Sequence, residues 1–437
     1  MEQATVGRPA AGARPAAARL RWAGRGAWAV ADQGLFALAN FGVAVLLARW
    51  LPPADYGAFT VAYSLFLLVG TVHTALLTEP MLVFGAARYE RRFAGYLRVL
   101  LGGHWLVSGA GAALLALGGL WSWATGSAAV GRALWSVAAA TPFVLLAWLA
   151  RRACFTRLRP AWAAAGGALY LVLSLAAAYL LFRTRHLSAP SALAVLGGAS
   201  LVTGAWLLWR LRGAAAGGAD EVPGQDVRRD HWAYGRWALA SSALSWVPAN
   251  IYLVALPALG GLEAGAALKA LLNLVMPLLQ AIAALATLLL PALVRQRESP
   301  RFDRLVAGAA ALFVGAGLAY WVLVGLVAEP LLHWLYRGQY TQYASVIWLV
   351  GALPVAVGVV GVLGSALRAL ERPDLVFRAY AASALAAVSL GLWAAVRWGV
   401  SGAVVGTLLS STVTAAVLLY FLRGRAMARP AVAGSER

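Results

Sequence analysis

Residues 57–85 read GAFTVAYSLFLLVGTVHTALLTEPMLVFG, and Glu79 is the only charged side chain among them. A helix that crosses a lipid bilayer needs about 20 consecutive, mainly apolar residues. This run is longer than that and is apolar on all sides of a helix, so it is too long for a strand of a membrane barrel. It therefore predicts a transmembrane α-helix.

The composition of the 437-residue chain extends this prediction to the whole protein. Apolar residues make up 62% and charged residues 12%, and the mean hydropathy is +0.75, whereas a soluble protein carries about 25% charged residues. The single cysteine, Cys154, excludes a disulfide framework and a cysteine-built zinc or iron–sulfur site. The histidines are widely spaced, and no phosphate-binding glycine loop, HExxH motif or nucleophile elbow occurs. We therefore expect an integral membrane protein with no enzyme site, metal or cofactor.

Eleven further runs resemble the first in length and apolar character. The prediction is an all-α integral membrane protein with twelve transmembrane helices. They lie at approximately 27–49, 57–85, 95–120, 133–150, 161–182, 189–209, 237–258, 265–293, 305–327, 345–367, 375–396 and 400–422.

The basic residues provide a test of this helix count. Of the 36 Lys and Arg residues, Lys269 is the only lysine. Cytoplasmic loops of membrane proteins carry the excess of Lys and Arg. With the N-terminus placed inside, twenty-nine arginines fall on cytoplasmic segments and six on outer segments. The pattern predicts that both termini are cytoplasmic, and it explains most of the net charge of +20 without a nucleic-acid partner.

Two weak repeats divide the chain into halves. Residues 51–58 (LPPADYGA) correspond to residues 259–266 (LGGLEAGA), and Arg-Pro at 159–160 corresponds to Arg-Pro at 372–373. Because each half has six helices, we expect a pseudo-two-fold axis along the membrane normal and a central cavity between the halves. The predicted segments are a disordered cytoplasmic tail (1–26), an N-terminal half (27–210), a cytoplasmic linker (211–236), a C-terminal half (237–422) and a second cytoplasmic tail (423–437).

Polar side chains inside the predicted helices mark the candidate cavity. A charge at mid-bilayer costs about 2.5–3.5 kcal/mol on insertion scales, so such residues usually face a cavity or a partner. On the eighth helix, Lys269, Asn273 and Gln280 share one face. Alternatively, the Lys269 ammonium group reaches the membrane surface, and the remaining polar groups form hydrogen bonds between helices. The other cavity candidates are Gln33, Asn40, His73 and Asn250.

Two carboxylates lie at similar depth in the first two helices. Asp32 and Glu79 are each near the predicted inner end of a helix. Paired carboxylates in a low dielectric suit a proton- or cation-coupling site. The alternative is that each carboxylate pairs with a cytoplasmic arginine, such as Arg25 or Arg88.

Prolines and aromatic residues supply two further predictions. Pro248 and Pro277 interrupt predicted helices and are hinge candidates, because kinked helices suit alternating access, although proline is common in membrane helices. An aromatic cluster precedes the tenth helix, and we expect it in the aromatic belt at the membrane surface, with stacking on sugar rings as the alternative. The cluster consists of Trp334, Tyr336, Tyr340 and Tyr343.

The sequence resembles one family of transporters. Residues 48–59, ARWLPPADYGAF, resemble the junction of helices 1 and 2 in Wzx-type polysaccharide (O-antigen) flippases. These flippases are the polysaccharide branch of the multidrug/oligosaccharidyl-lipid/polysaccharide exporter superfamily. The resemblance continues through the twelve helices and the two halves to residues 367–373, LRALERP.

The resemblance implies a fold like that of multidrug and toxin extrusion (MATE) transporters, in which helices 1, 2, 7 and 8 line a V-shaped cavity. It also implies a flippase that moves a polyprenyl-diphosphate-linked oligosaccharide to the outer leaflet of the bacterial cytoplasmic membrane. Such a protein works by alternating access in the biosynthesis of O-antigen, capsule or exopolysaccharide. Lys269 would neutralise the diphosphate, with His73 as a weaker second. The implied partners are the lipid-linked glycan, membrane lipid and the polysaccharide polymerase machinery.

Three other functions are compatible with the sequence. A multidrug exporter of the same superfamily would use Asp32 and Glu79 to bind organic cations. A membrane glycan polymerase or ligase needs a large outer loop, whereas the longest one here, 328–344, offers only Glu329, His333 and Arg337. A non-transporting assembly scaffold is the third.

Overall fold

The computed structural model describes residues 13–214 and 222–428, and every regular element in that part of the chain is helical. The all-α prediction is therefore confirmed. The helices are α1 (Ala13–Trp50), α2 (Pro53–His73), α3 (Glu79–Phe84), α4 (Phe93–Ala124), α5 (Ala128–Thr156), α6 (Pro160–Arg183), α7 (Ala189–Ala214), α8 (Gly224–Gly260), α9 (Leu262–Gln296), α10 (Arg301–Leu326), α11 (Ala328–Tyr336), α12 (Ile347–Val350), α13 (Leu353–Ala369), α14 (Pro373–Ala386) and α15 (Leu392–Ala428).

Eleven helical segments of the described residues are long and apolar enough to cross a membrane. The last of them, Pro373–Gly424, is 52 residues long, more than twice the length that one crossing requires. Gly399 lies inside it with φ 56° and ψ −128°, a backbone conformation that glycine adopts readily and that interrupts a helix. The segment therefore comprises the two helices predicted at 375–396 and 400–422, which accounts for the predicted twelve.

Helices extend into segments that the sequence predicts as tails or linker. α1 already begins at Ala13, α8 begins at Gly224 and α15 continues to Ala428. Residues 13–25 are rich in alanine and arginine, and both residue types favour helix. The affected predictions are the tail 1–26, the linker 211–236 and the tail 423–437, of which residues 1–12, 215–221 and 429–437 lie outside the described part of the chain.

Two bundles of helices meet along a central seam. α1 packs along α6, and α5 lies between α4 and α7 in the N-terminal half. In the C-terminal half, α13 contacts α9, α10 and α15. The halves meet where α1 and α2 pack against α9 and where α2 packs against α8. We call the side of the bundle with connections 85–92, 157–159, 297–300 and 370–372 the basic face, and the side with connections 51–52, 125–127, 184–188 and 327–340 the opposite face.

The second membrane helix contains a π-helical turn, Thr74–Thr78, between α2 and α3. Pro80 has no N–H to donate to the carbonyl of Leu76 four residues earlier, so the regular hydrogen-bond ladder is interrupted. His231 of α8 takes over this carbonyl, with its Nδ1 2.9 Å from the Leu76 oxygen. The Nε2 atom of the same ring lies 2.7 Å from the hydroxyl of Tyr96. One histidine therefore joins α8 both to this π-helical turn and to α4.

Helix α8 packs on both halves. Near its start, Asp230 accepts hydrogen bonds from Arg88 (2.7 Å) and from the hydroxyl of Tyr89 (2.8 Å). Burial and the bond to Asp230 raise the pKa of Tyr89 to about 12, so the phenol remains a donor at neutral pH. Near the end of α8, the hydroxyl of Tyr252 donates to the carbonyl of Ala387, 3.3 Å away. The start of α8 is thus bound to the N-terminal half and its end to the C-terminal half.

Candidate functional site

Contacts between the two halves close the bundle at the opposite face. Arg49, at the end of α1, donates to the backbone carbonyls of Trp334 and Leu335. The side chain of Gln339 donates in return to the carbonyl of Arg49, 3.2 Å away. We call these contacts, together with those of residues 56–57 described next, the seal.

Tyr56 forms the inner part of the seal, and Tyr336 packs beside it within the C-terminal half. The amide nitrogen Nδ2 of Asn273 donates to the hydroxyl of Tyr56 across the seam (3.0 Å), and both side chains are buried. The hydroxyl of Tyr336 donates to the carbonyl of Ala270, 2.9 Å away. Burial raises the pKa of Tyr336 well above its ordinary value. Tyr336 and Tyr340 are fully buried, so the prediction of a surface aromatic belt is wrong for these two.

A glycine allows a close approach of the two halves. A Cβ atom added to Gly57 would overlap the backbone carbonyl of Leu262. The residue that fits this contact must therefore have no side chain. Gly57 belongs to the helix 1–2 junction on which the family resemblance rests.

Beneath the seal lies a cavity of about 610 Å³. Its walls come from α1, α2, α5, α6, α7 and α9, and they are mainly apolar. Rings of the lining pack on one another; for example, the ring centroids of Phe36 and Tyr170 are 5.9 Å apart. The aromatic lining residues are Phe36, Phe41, Phe59, Tyr63, Phe66, Trp148 and Tyr170.

Lys269 supplies the charge of this cavity. No aspartate or glutamate lines the cavity, and Lys269 is its only cationic lining residue. Among the described residues, no carboxylate or hydrogen-bond acceptor partners its ammonium group. An unpaired cation in apolar surroundings is costly unless an anion neutralises it. The cavity is therefore suited to an anionic ligand.

Most of the predicted cavity residues lie along this space. Asn40, Asn273 and Gln280 line the cavity with Lys269. Asn250 lines a second cleft of about 350 Å³ between α2, α5 and α8. This cleft shares Leu67 and Trp148 with the cavity and continues from it towards the basic face.

Two predicted cavity residues lie elsewhere. On α1 the lining begins at Phe36, so Gln33 lies beyond the cavity, with its Oε1 3.4 Å from Nη2 of Arg151. His73 points to α4, where its Nε2 lies 3.0 Å from Nδ1 of His104. The partners of both contacts are far apart in the sequence, so a local sequence pattern could not predict either contact.

The two predicted coupling carboxylates both interact with arginines of α5. The Nε atom of Arg151 lies 2.8 Å and 2.9 Å from the two carboxylate oxygens of Asp32. Glu79 is half-buried and interacts electrostatically with Arg152. The alternative prediction, in which an arginine pairs with the carboxylate, is thus observed for Asp32. Its partner is Arg151, whereas Arg88, one of the arginines suggested from the sequence, pairs with Asp230.

Pro248 and Pro277 both lie inside continuous helices, α8 and α9. Pro277 also lines the cavity, one turn from Asn273. Pro248 lies between His231, which bonds to the N-terminal half, and Tyr252, which bonds to the C-terminal half. Both positions leave the hinge prediction open.

Known structures give the fold of this chain. The sequence matches no protein-family model and no curated protein. A multidrug resistance MATE family transporter of the MOP superfamily in its inward-facing conformation aligns with TM-score 0.74 and 13% identity, over 93% of this chain and 100% of that one. The lipid II flippase MurJ, in an inward closed conformation, aligns with TM-score 0.73 and 12% identity, over 91% and 87% of the two chains. This chain has the fold of these transporters.

A third known structure shows the same fold. An outward-facing conformation of a multidrug resistance MATE family transporter aligns with TM-score 0.65 and 13% identity, over 93% of this chain and 97% of that one.

Proposed function

We propose that the chain is a flippase that moves a polyprenyl-diphosphate-linked oligosaccharide from the inner to the outer leaflet of the bacterial cytoplasmic membrane, for polysaccharide biosynthesis. The observation that carries this proposal is the unpaired ammonium group of Lys269 in a cavity without carboxylates. The resemblance of residues 48–59 to Wzx-type flippases supports the same substrate class. The fold, shared with MurJ and MATE transporters, supports alternating access.

In this mechanism the substrate enters from the basic face, which we take to be cytoplasmic. The diphosphate passes along the cleft at Asn250 and is neutralised by Lys269, while Asn40, Asn273 and Gln280 donate hydrogen bonds to phosphate or sugar oxygens. The aromatic walls offer flat apolar surfaces for sugar rings. The polyprenyl tail remains in the bilayer.

Release on the other side requires the seal to open. Arg49 and Asn273 then lose their partners across the seam, and contacts at the basic face replace them. Helix α8 is attached to both halves, so Pro248 is the position at which we place one hinge, and Pro277 in α9 the other.

An organic-cation exporter of the same fold is the main rival. It needs a carboxylate that faces the ligand. Asp32 and Glu79 do not line the cavity; Asp32 pairs with Arg151, and Glu79 interacts electrostatically with Arg152. The charge of the cavity therefore favours an anionic substrate.

A leaflet assay tests the proposal. The protein is reconstituted in liposomes with a labelled polyprenyl-diphosphate oligosaccharide, and its exposure to an impermeant glycan-cleaving reagent is followed. We expect protein-dependent flipping that Lys269→Ala lowers about tenfold or more, because hydrogen bonds to charged groups contribute ~1.5–3 kcal/mol. Lys269→Arg should keep most of the activity, and Arg183→Ala, which removes an exposed charge elsewhere, should leave it unchanged.

Two results would contradict the proposal. Equal flipping by the Lys269→Ala variant would remove Lys269 from the substrate path. Absence of flipping with several glycans, together with uptake of an organic cation under a proton gradient, would favour the exporter.

A further inference from the structure

Two arginines share one indole ring on the basic face. The guanidinium carbon of Arg159 lies 5.2 Å from the ring centroid of Trp162, and that of Arg210 lies 5.1 Å from the same ring. Arg210 is also 5.8 Å from the ring of Trp206. These contacts fix the positions of two like charges but do not neutralise them. Neither arginine has a carboxylate partner among the residues that the structure describes.

A pocket of about 390 Å³ adjoins this pair. Arg159 and Trp162 line it, together with Arg157 and Trp28. The side chain of Arg157 is held in place by the backbone carbonyl of Glu90, 3.2 Å from its Nη1. The pocket therefore has positively charged walls whose side chains are already positioned.

Large apolar side chains lie exposed on the same elements. Trp28 is 53% exposed, Leu158 49% and Trp209 65%. Exposure of three large apolar side chains would be unfavourable on a surface that faced only water. Tryptophan beside arginine is typical of the boundary between the hydrocarbon core and the headgroups.

The positions of these residues along the chain agree with that depth. Trp28 is close to the start of the membrane segment Gly26–Trp50, and Trp162 is in the first turn of α6. Arg210 is near the end of the segment Ala189–Arg212. All three helix ends meet at the basic face.

We propose that this patch is a binding site for the headgroup of an acidic phospholipid. The phosphate lies between Arg159 and Arg210, and the acyl chains run along Trp28 and Trp209. The lipid neutralises the arginine pair and braces the α5–α6 connection against α1 and α7. This site is separate from the cavity and does not depend on the transported substrate.

Lipid titration of the full-length protein tests the site. Native mass spectrometry in detergent measures the retention of phosphatidylglycerol and of phosphatidylcholine. We expect preferential retention of phosphatidylglycerol, and an affinity about tenfold or more weaker in the Arg159→Gln, Arg210→Gln double variant, given the usual contribution of a basic residue near acidic lipid. The Arg183→Gln, Arg185→Gln double variant removes the same charge from the opposite face and should behave as wild type. Equal loss in both double variants, or in neither, would overturn the proposal.

A second measurement needs no variant. Photoactivatable phosphatidylglycerol in nanodiscs should label peptides that contain residues 157–162 and 206–212, and phosphatidylcholine with the same reactive group should label them several-fold less. Equal labelling by the two lipids would overturn the proposal. Soluble glycerol phosphate at equal concentration should not compete, and competition would show a site for free anions instead of lipid.

Discussion

Asp32 and Arg151 form a two-point ion pair inside the N-terminal half. The carboxylate is fully buried, and both of its oxygens accept hydrogen bonds from the guanidinium group. The cation also lies 4.3 Å from the ring centroid of Phe36, a cavity-lining residue. The pair therefore fixes α1 to α5 directly below the cavity.

Removal of one member of this pair should destabilise the protein more than removal of both. Breaking a buried pair from one side costs about 3–5 kcal/mol, because it leaves an uncompensated charge, whereas replacement of both members by apolar residues is often neutral. We expect Asp32→Leu and Arg151→Met each to lower the thermal unfolding temperature in detergent, and the double variant to recover much of the loss. Additive effects of the two substitutions would show that the pair does not act as a unit.

The two carboxylates should differ in their effect on energy coupling. Asp32 is fixed by Arg151, whereas Glu79 accepts no hydrogen bond among the described side chains and is half-buried. A carboxylate that exchanges a proton or cation must be free to change its partner. In the leaflet assay with an imposed ion gradient, we expect Glu79→Gln to lower gradient stimulation more than Asp32→Asn does. Stimulation that persists in the double variant would exclude both residues as coupling sites.

The sequence predicts the fold well because each of the twelve apolar runs is by itself long and apolar enough to form a transmembrane helix. Gly399 shows the same point, since the helices predicted at 375–396 and 400–422 meet where this glycine leaves the helical backbone conformation. The stripe of Lys269, Asn273 and Gln280 was predictable for a related reason. All three residues lie on one helix, and helical spacing alone places them on one face.

Contacts between distant helices could not be predicted in this way. In the sequence, Arg151 is recognised only as one of the arginines on cytoplasmic segments. Nothing in the sequence indicates that it reaches Asp32, 119 residues away. Tyr336 and Tyr340 have the composition of a surface belt, but the packing of the two halves buries them. A sequence pattern reports the face of a helix and not the element that covers it.

Gly57 should control the stability of the seal. A Cβ at this position would overlap the carbonyl of Leu262, and forced overpacking costs ~1–3 kcal/mol. We expect Gly57→Ala to separate α2 from α9 at the opposite face. Gly102→Ala, on α4, adds the same methyl group where nothing lies within 4 Å and serves as the control.

Spin labels measure this separation. The only native cysteine, Cys154, is buried, and Cys154→Ala provides the background for labels introduced by Ala54→Cys and Glu263→Cys. Double electron–electron resonance measures the distance between the two labels. We expect the mean distance to be longer for Gly57→Ala than for Gly102→Ala. The same distribution in both variants would show that the glycine contact does not limit the closure of the seal.

His73 and His104 should be more costly to replace singly than together. Their rings are completely buried and joined by one hydrogen bond of 3.0 Å, while the outer nitrogens, Nδ1 of His73 and Nε2 of His104, have no partner among the described residues. His73→Leu or His104→Leu leaves a further ring nitrogen unsatisfied, at a cost of about 1–3 kcal/mol. The double variant removes all four nitrogens from the core, so we expect its unfolding temperature to exceed that of either single variant. Ser108→Ala, which removes only a bond to the carbonyl of His104 in its own helix, should have a small effect. A double variant less stable than both single variants would mean that the imidazoles contribute by filling space and not through their hydrogen bond.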